Sequence, residues 1–265
     1  MINKIIREIK IFFQSPKMFY FRYFKCFIPN TIFWIKKDIS IKLQWHEIIF
    51  PNEAWVQRVL METFMRDLFK DMHWLDKVLD IWWFIWESAI YLSIHNKEVY
   101  TYELSPTNFK YLEKNCSWIK NIKYFNWCVW VSEKEYTEFS DLWTVSSTNK
   151  KDQVKGNIVR IKNYNIIDLL KNDRFDWLKL DIEWGEYDII KPIIDAWLFN
   201  FKKGIIEFHG LDKSENISYL RWFLNYLNNN YNYKIISNEW KQIGNIDNNV
   251  YCNVIFIKNT SNKSQ

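Results

Sequence analysis

The sequence predicts an α/β fold: a mostly parallel sheet with helices on both faces, closed by an antiparallel strand pair. Three observations predict it. From Lys77 onward, short apolar runs alternate with amphipathic helical segments, as parallel strands joined by helices do. Acidic residues recur where those runs end, at Asp80, Glu103, Asp181 and Glu207. The last two strand-like runs, "YKIIS" and "YCNVIFIKN", have no helix between them, so they are expected to pair antiparallel.

Taken in order, residues 3–28 place Ile5, Ile6, Ile9, Phe12 and Phe13 near helical spacing with Lys and Arg between them, which predicts an amphipathic helix. "DISIKLQWHEIIF" alternates Ile39, Ile41 and Leu43 with Ser40, Lys42 and Gln44, then turns into a second short run, which predicts a hairpin. "VQRVLMETFMRDLFKDM" returns to helical spacing through Val56, Val59, Leu60, Phe64 and Leu68. Strands are then expected at 78–82, 98–103, 122–130, 177–182 and 203–208. Helices are expected at 87–94, 106–116 and 186–195, over "NYNIIDLLKN", and over "ISYLRWFLNYLNNNY". The polar stretch 132–157 is expected to be irregular. The chain thus divides into an N-terminal extension over 1–75, a main domain over 76–258 and a frayed tail over 259–265.

With 265 residues and 48% hydrophobic content, the chain can bury the core of one large domain with an extension. The net charge of +5 arises from 36 basic and 31 acidic residues spread along the whole length. That density does not make a nucleic-acid surface, and no nucleic-acid partner is expected. Charges interrupt the basic N-terminal helix every few residues, which excludes a signal peptide or a membrane span. That helix is read as packed on the domain edge, with contact to a membrane surface or an acidic glycan as the alternative. Cys26, Cys116, Cys128 and Cys252 show no CxxC pairing, so reduced thiols, a cytoplasmic protein and no metal site are expected.

In an open parallel sheet, ligands lie outside the carboxyl ends of the strands, where strand order reverses. "KVLDIWWFIWESAIYL" supplies Asp80 at a strand end, a turn over 82–86, and a helix with Glu87 and Ser88 in its first turn. The amides of such a helix N-terminus favour an anionic ligand; capping and surface charge would also account for Asp80 and Glu87. Glu103 ends the second strand, where a carboxylate can accept hydrogen bonds from both ribose hydroxyls of a nucleotide cofactor. "WLKLDIEWGEYDII" gathers Asp181, Glu183 and Glu186 within six residues, as candidates for substrate binding or proton transfer. Glu186 is assigned to the dipole of the following helix. "GIIEFHG" ends in Glu207 and His209.

"VLDIWWFIWES", "YELSPTNFKYLEKN", "LLKNDRFDWLKLDIEWGEYDII" and "GIIEFHG" together resemble the FkbM family of S-adenosylmethionine-dependent methyltransferases, over residues 77–210. Lys179, Asp181, Glu183 and Glu186 match the family's fourth-strand segment K-x-D-x-E-G-x-E, and Glu103 matches its second strand. The resemblance implies a Rossmann-like, seven-stranded methyltransferase sheet that binds S-adenosyl-L-methionine. It also implies O-methylation of a hydroxyl on a small molecule, sugar or glycan. The cofactor residues it implies are Asp80, Trp82, Trp83, Trp86, Glu87, Ser88, Glu103, Asp181 and Glu183, with the proton acceptor among Asp181, Glu207 and His209. Leu104-Ser105-Pro106 departs from the family's "E-P". Trp82, Trp86 and Trp184 stand where the family has glycine, and Trp83 where it has a small residue.

The glycine count is abnormal. Average usage of about 7% would give roughly 19 glycines, whereas the chain has 5, with 16 tryptophans. Trp118 and Trp197 follow helices where a left-handed glycine usually sits. Trp177 lies between a turn and its strand, and Trp143 in a polar loop. One reading makes the tryptophans genuine and the protein an inactive scaffold with an occluded site. A second makes them an aromatic binding surface. The preferred third is that UGA encodes glycine in the source and has been written as tryptophan. A nicotinamide-dependent oxidoreductase of related fold is a further alternative, but the fourth-strand acidic segment has no role in hydride transfer.

Overall fold

The computed structural model describes residues 39–43, 46–50, 63, 69, 73–82, 87–141, 157–182, 185–230, 233–235 and 251–259. The helix expected over 3–28, the helix expected over 56–72 apart from Thr63 and Phe69, the residues Trp83, Trp86, Trp143, Glu183 and Trp184, and most of the tail lie outside the described residues. The chain forms two compact units, Met1–Lys70 and Asp71–Gln265. In the first, β1 (Ile39–Leu43) and β2 (His46–Phe50) make the expected antiparallel hairpin, with Leu43 opposite His46.

The second unit is built on a seven-stranded sheet. Its strands are β3 (Lys77–Trp82), β4 (Glu98–Tyr102), β5 (Ile122–Phe125), β9 (Trp177–Asp181), β10 (Lys203–His209), β11 (Tyr233–Ile235) and β12 (Tyr251–Lys258). They lie in the order β11-β12-β10-β9-β3-β4-β5. Parallel pairing runs from β10 through β9, β3 and β4 to β5, and β12 is antiparallel to both β10 and β11. From β3 the chain builds outward to β4 and β5, then returns to the other side of β3 for β9 and β10. The point where strand order reverses is therefore the β3–β9 boundary.

The connecting helices are α1 (Glu87–His95), α2 (Pro106–Cys116), α3 (Ile166–Asn172), α4 (Glu186–Asp195) and α5 (Ser214–Asn230). Right-handed crossovers that advance in opposite directions from the switch point put α1 and α2 on one face and α4 on the other. Burial agrees with this. Leu79, Ile81, Leu178 and Leu180 join one core cluster with Leu169 of α3, Ile189, Ile190 and Ile193 of α4, and Phe223 and Leu227 of α5. Strand side chains alternate, so Val78, Asp80, Lys179 and Asp181 belong to the opposite face, that of α1.

Two expectations are corrected. The strand predicted over 122–130 breaks into β5 and β6 (Cys128–Trp130), because Asn126 Nδ2 donates to the carbonyls of Glu103 (2.8 Å) and Leu104 (3.1 Å) and turns the chain out of the sheet. The stretch expected to be irregular contributes β7 (Tyr136–Asp141) and the start of β8 (Asn157–Asn165). These strands form a separate sheet in the order β6-β8-β7, where Phe139 and Ile161 are buried and their neighbours largely solvated. The helix expected over "NYNIIDLLKN" begins only at Ile166, capped by Asn165 Oδ1 accepting from Ile167 N (3.0 Å).

Cys116, Cys128 and Cys252 are buried free thiols. Among the described residues no helix is long and apolar enough to cross a membrane.

Candidate functional site

The carboxyl ends of β4, β3, β9 and β10, four neighbours in the sheet, carry Glu103, Asp80, Asp181 and Glu207. Asp80 is fully buried. Its Oδ2 accepts from Ser88 Oγ at the start of α1 (2.9 Å) and from Thr101 Oγ1 on β4 (3.3 Å), and its Oδ1 lies 3.8 Å from Lys179 Nζ. One carboxylate thus ties the end of β3 to its two neighbouring strands and to the helix that follows the turn. Burial raises its pKa, and Lys179, Ser88 and Thr101 oppose the rise.

Glu87 opens α1 and is 1% exposed, and among the described residues no other side chain or backbone group hydrogen-bonds its carboxylate. Burial pushes its pKa well above the usual glutamate range, and the Lys179 ammonium only partly offsets this. Of the turn between them, the backbone of Trp82 is described: it ends β3 opposite Asp181.

Glu103 stands one residue beyond β4 and is also buried. Its Oε1 accepts from Ser105 N (2.7 Å), while Ser105 Oγ caps α2 by accepting from Asn108 N (3.2 Å) and Pro106 fills the first helical position. The departure from the family's "E-P" therefore has a local consequence: the inserted Leu104-Ser105 supplies a backbone donor that fixes the Glu103 side chain.

On the other side of the switch point, Ile206 pairs with Leu180, so the next residues, Glu207 and Asp181, stand side by side on one face, with His209 two positions on. Asp181 divides its oxygens. Oδ2 lies 3.9 Å from Lys179 Nζ, and Oδ1 lies 3.8 Å from His209 Nε2. Glu207 Oε1 is 3.7 Å from the same nitrogen. Burial and the neighbouring Asp181 charge raise the Glu207 pKa well above the usual range.

His209 is held from behind. Its Nδ1 is hydrogen-bonded with Glu186 Oε1 (2.5 Å), and its carbonyl accepts from Tyr187 Oη (2.5 Å). Glu186 is fully buried, and burial raises its pKa against the lowering effect of His209. Its expected role at the helix dipole is thus incomplete: the first residue of α4 reaches across to orient the histidine of β10. Sequence spacing within one segment cannot show this, because the two residues are 23 apart and meet only through the β9–α4–β10 fold. Lys179, which matched the family segment without an assigned role, is the buried cation between Asp80 and Asp181.

Acidic strand ends gathered at the switch point of a doubly wound sheet define an α/β domain of the kind that places ligands at that edge. The profile described as the Methyltransferase FkbM domain matches residues 76–235, more than half of the chain, and the chain belongs to that family. No curated protein matches the chain. Among solved structures it is similar to Trm5b from Pyrococcus abyssi, at 11% identity and TM-score 0.45, covering 83% of this chain and 55% of that one. It is also similar to the methyltransferase FkbM from Methylobacillus flagellatus KT, at 14% identity and TM-score 0.43, covering 69% and 43%. Fibrillarin from Methanococcus jannaschii is similar at 12% identity and TM-score 0.43, covering 84% and 83%. The chain spans about half the length of the first two.

Proposed function

We propose that the protein transfers a methyl group from S-adenosyl-L-methionine to a hydroxyl of a small-molecule, sugar or glycan acceptor. The observation that carries this reading is the division of the strand ends about the switch point: Asp80 and Glu103 lie on the β3–β4 side, and Asp181, Glu207 and His209 on the β9–β10 side. The residues of the first side fit a nucleoside. Glu103 is buried at the end of the second strand of the sheet's first half and is held in place by Ser105 N, as a ribose-binding carboxylate requires. Asp80 anchors Ser88 and so fixes the N-terminus of α1 behind the turn. When bound, the cofactor supplies an electrophilic methyl carbon on a sulfonium.

On the second side, Asp181, Glu207 and His209 receive the acceptor. This cluster would accept the hydroxyl proton as the acceptor oxygen takes the methyl group. His209 is suited to the task because Glu186 holds the ring at Nδ1 and turns Nε2 toward the acceptor side.

Calorimetric titration with S-adenosyl-L-methionine tests the reading, using the chain with Trp82→Gly, Trp83→Gly, Trp86→Gly and Trp184→Gly to free the turn. Binding is expected in that background. Adding Glu103→Ala should weaken it by about 1.5–3 kcal/mol, the range for hydrogen bonds to a charged group. An unchanged affinity removes Glu103 from the site, and no binding in the glycine background refutes the cofactor.

A further inference from the structure

We propose that Asp181, Glu207 and His209 form a binding site for a divalent cation of the Mn²⁺ class. One donor atom from each residue lies within 4.8 Å of the other two. His209 Nε2 is 3.8 Å from Asp181 Oδ1 and 3.7 Å from Glu207 Oε1, too far for hydrogen bonds. A cation about 2.0–2.4 Å from each ligand needs its donors roughly 3–4.5 Å apart, which matches this triangle.

Features outside the triangle orient it toward such an ion. Glu186 Oε1 pairs with His209 Nδ1, the position from which a carboxylate behind a histidine orients the ring and raises its basicity as a ligand, and Nε2 is the ring nitrogen that faces the two carboxyl groups. Lys179 occupies the far oxygen of Asp181, so Oδ1 is the one turned inward. Asp181 and Glu207 stand side by side on neighbouring strands, so their two carboxyl groups converge on the same space as the imidazole. Two carboxylates and one imidazole suit Mn²⁺ and similar ions better than a thiolate-seeking metal. The sequence reading expected no metal because it weighed cysteine spacing; this donor set comes from two strands.

The role of the ion rests on the methyl-transfer reading. Three protein ligands would leave coordination positions for the acceptor's hydroxyl oxygens, and a bound hydroxyl would lose its proton more readily, to the Glu207 oxygen not bound to the ion; His209 would then serve as a ligand and not as the proton acceptor.

The test uses the full chain, stripped with chelator and titrated with Mn²⁺, with free Mn²⁺ followed by electron paramagnetic resonance. Saturable binding is expected, with spin-echo modulation from one imidazole nitrogen. His209→Ala and Asp181→Asn should abolish it, and Glu186→Gln should weaken it about 10–100-fold. Absence of binding at millimolar Mn²⁺, or binding without nitrogen modulation, overturns the proposal without relying on any variant. Affinity unchanged by His209→Ala and Asp181→Asn does the same. S-Adenosyl-L-methionine titrated in parallel into the glycine-substituted chain separates the two readings: cofactor binding without Mn²⁺ binding removes only the metal, and the converse removes only methyl transfer.

Discussion

Replacing Trp197 by glycine should stabilise the protein, which is unusual for removal of the largest side chain. Helix α4 ends with Trp197 N–H donating to the Ile194 carbonyl (2.9 Å) and Leu198 N–H to the Ile193 carbonyl (2.9 Å). These paired bonds place Trp197 at the left-handed seat that usually takes glycine, and its φ is 59°. Holding an L-residue there costs roughly 1–2 kcal/mol. The indole is 83% exposed, so little burial is lost with it. Glycine returns roughly 0.5–1 kcal/mol through the extra freedom of the unfolded chain. The net gain is about 0.5–1 kcal/mol, or a rise of roughly 1–4 °C in Tm for a domain of this size.

Alanine gives the sharper comparison. Trp197→Ala removes the indole but keeps the Cβ and its strain, so Trp197→Gly should be more stable than Trp197→Ala by about 1 kcal/mol. At an ordinary helical position the order reverses by a similar amount. Urea titration of the parent and both variants gives the three free energies. An alanine variant at least as stable as the glycine variant would refute a left-handed residue 197.

Trp74 has a φ of 67° and is 87% exposed, so Trp74→Gly should stabilise in the same sense, checked by the same titration. Glu87→Gln should alter the pH dependence of stability. The folded pKa of Glu87 is raised, so between the usual glutamate pKa and the folded value the unfolded chain has lost a proton that the folded chain retains, and stability falls as pH rises. The variant should gain on the parent in Tm from acidic to neutral pH, with Asp80, Asp181 and Lys179 left intact as its charged neighbours; a gap constant with pH would disprove this. Gly185→Ala should destabilise by about 1–3 kcal/mol in thermal melts, because the added Cβ would run into the Trp130 ring and Ile182.

The sequence displayed the parts of the fold that bury one face periodically. β3, β4, β9, β10 and their helices were legible because apolar runs such as "KVLDI" and "GIIEF" end sharply at charged residues. β7 and β8 were not, since Ile158 and Tyr136 are exposed and the polar residues around Phe139 and Ile161 dilute the alternation. The strand-end acids were likewise legible one by one. The partnership of Glu186 with His209 was not, because helix-start acids have an adequate local explanation and the contact exists only once β10 lies beside β9. Two of the tryptophan expectations also change. Trp118 has no positive φ, and Trp177 stands inside β9 as a fully buried side chain rather than at a turn.

That last contrast sharpens the codon reading. Among the described residues, only two other than glycine adopt a positive φ, and both are tryptophans, Trp74 and Trp197. Genuine tryptophans have no reason to concentrate at the backbone conformation they tolerate least, whereas misread glycines do. Trp177 and Trp222 behave differently. The first fills the core, and the second lies between Tyr219 and Tyr226 on the face of α5, at ring-centroid distances of 5.1 and 5.8 Å. Backbone geometry therefore predicts the gene position by position: UGA at 74 and 197, and at 82, 83, 86 and 184 where the turn and the fourth-strand segment need glycine, but UGG at 177 and 222. Sequencing the gene and weighing the native peptides decides it. UGA codons and glycine masses at the first set, with tryptophan masses at the second, are expected. UGG throughout would make the tryptophans genuine, leave the turn after Asp80 filled by indoles, and turn the protein into an inactive member of its family.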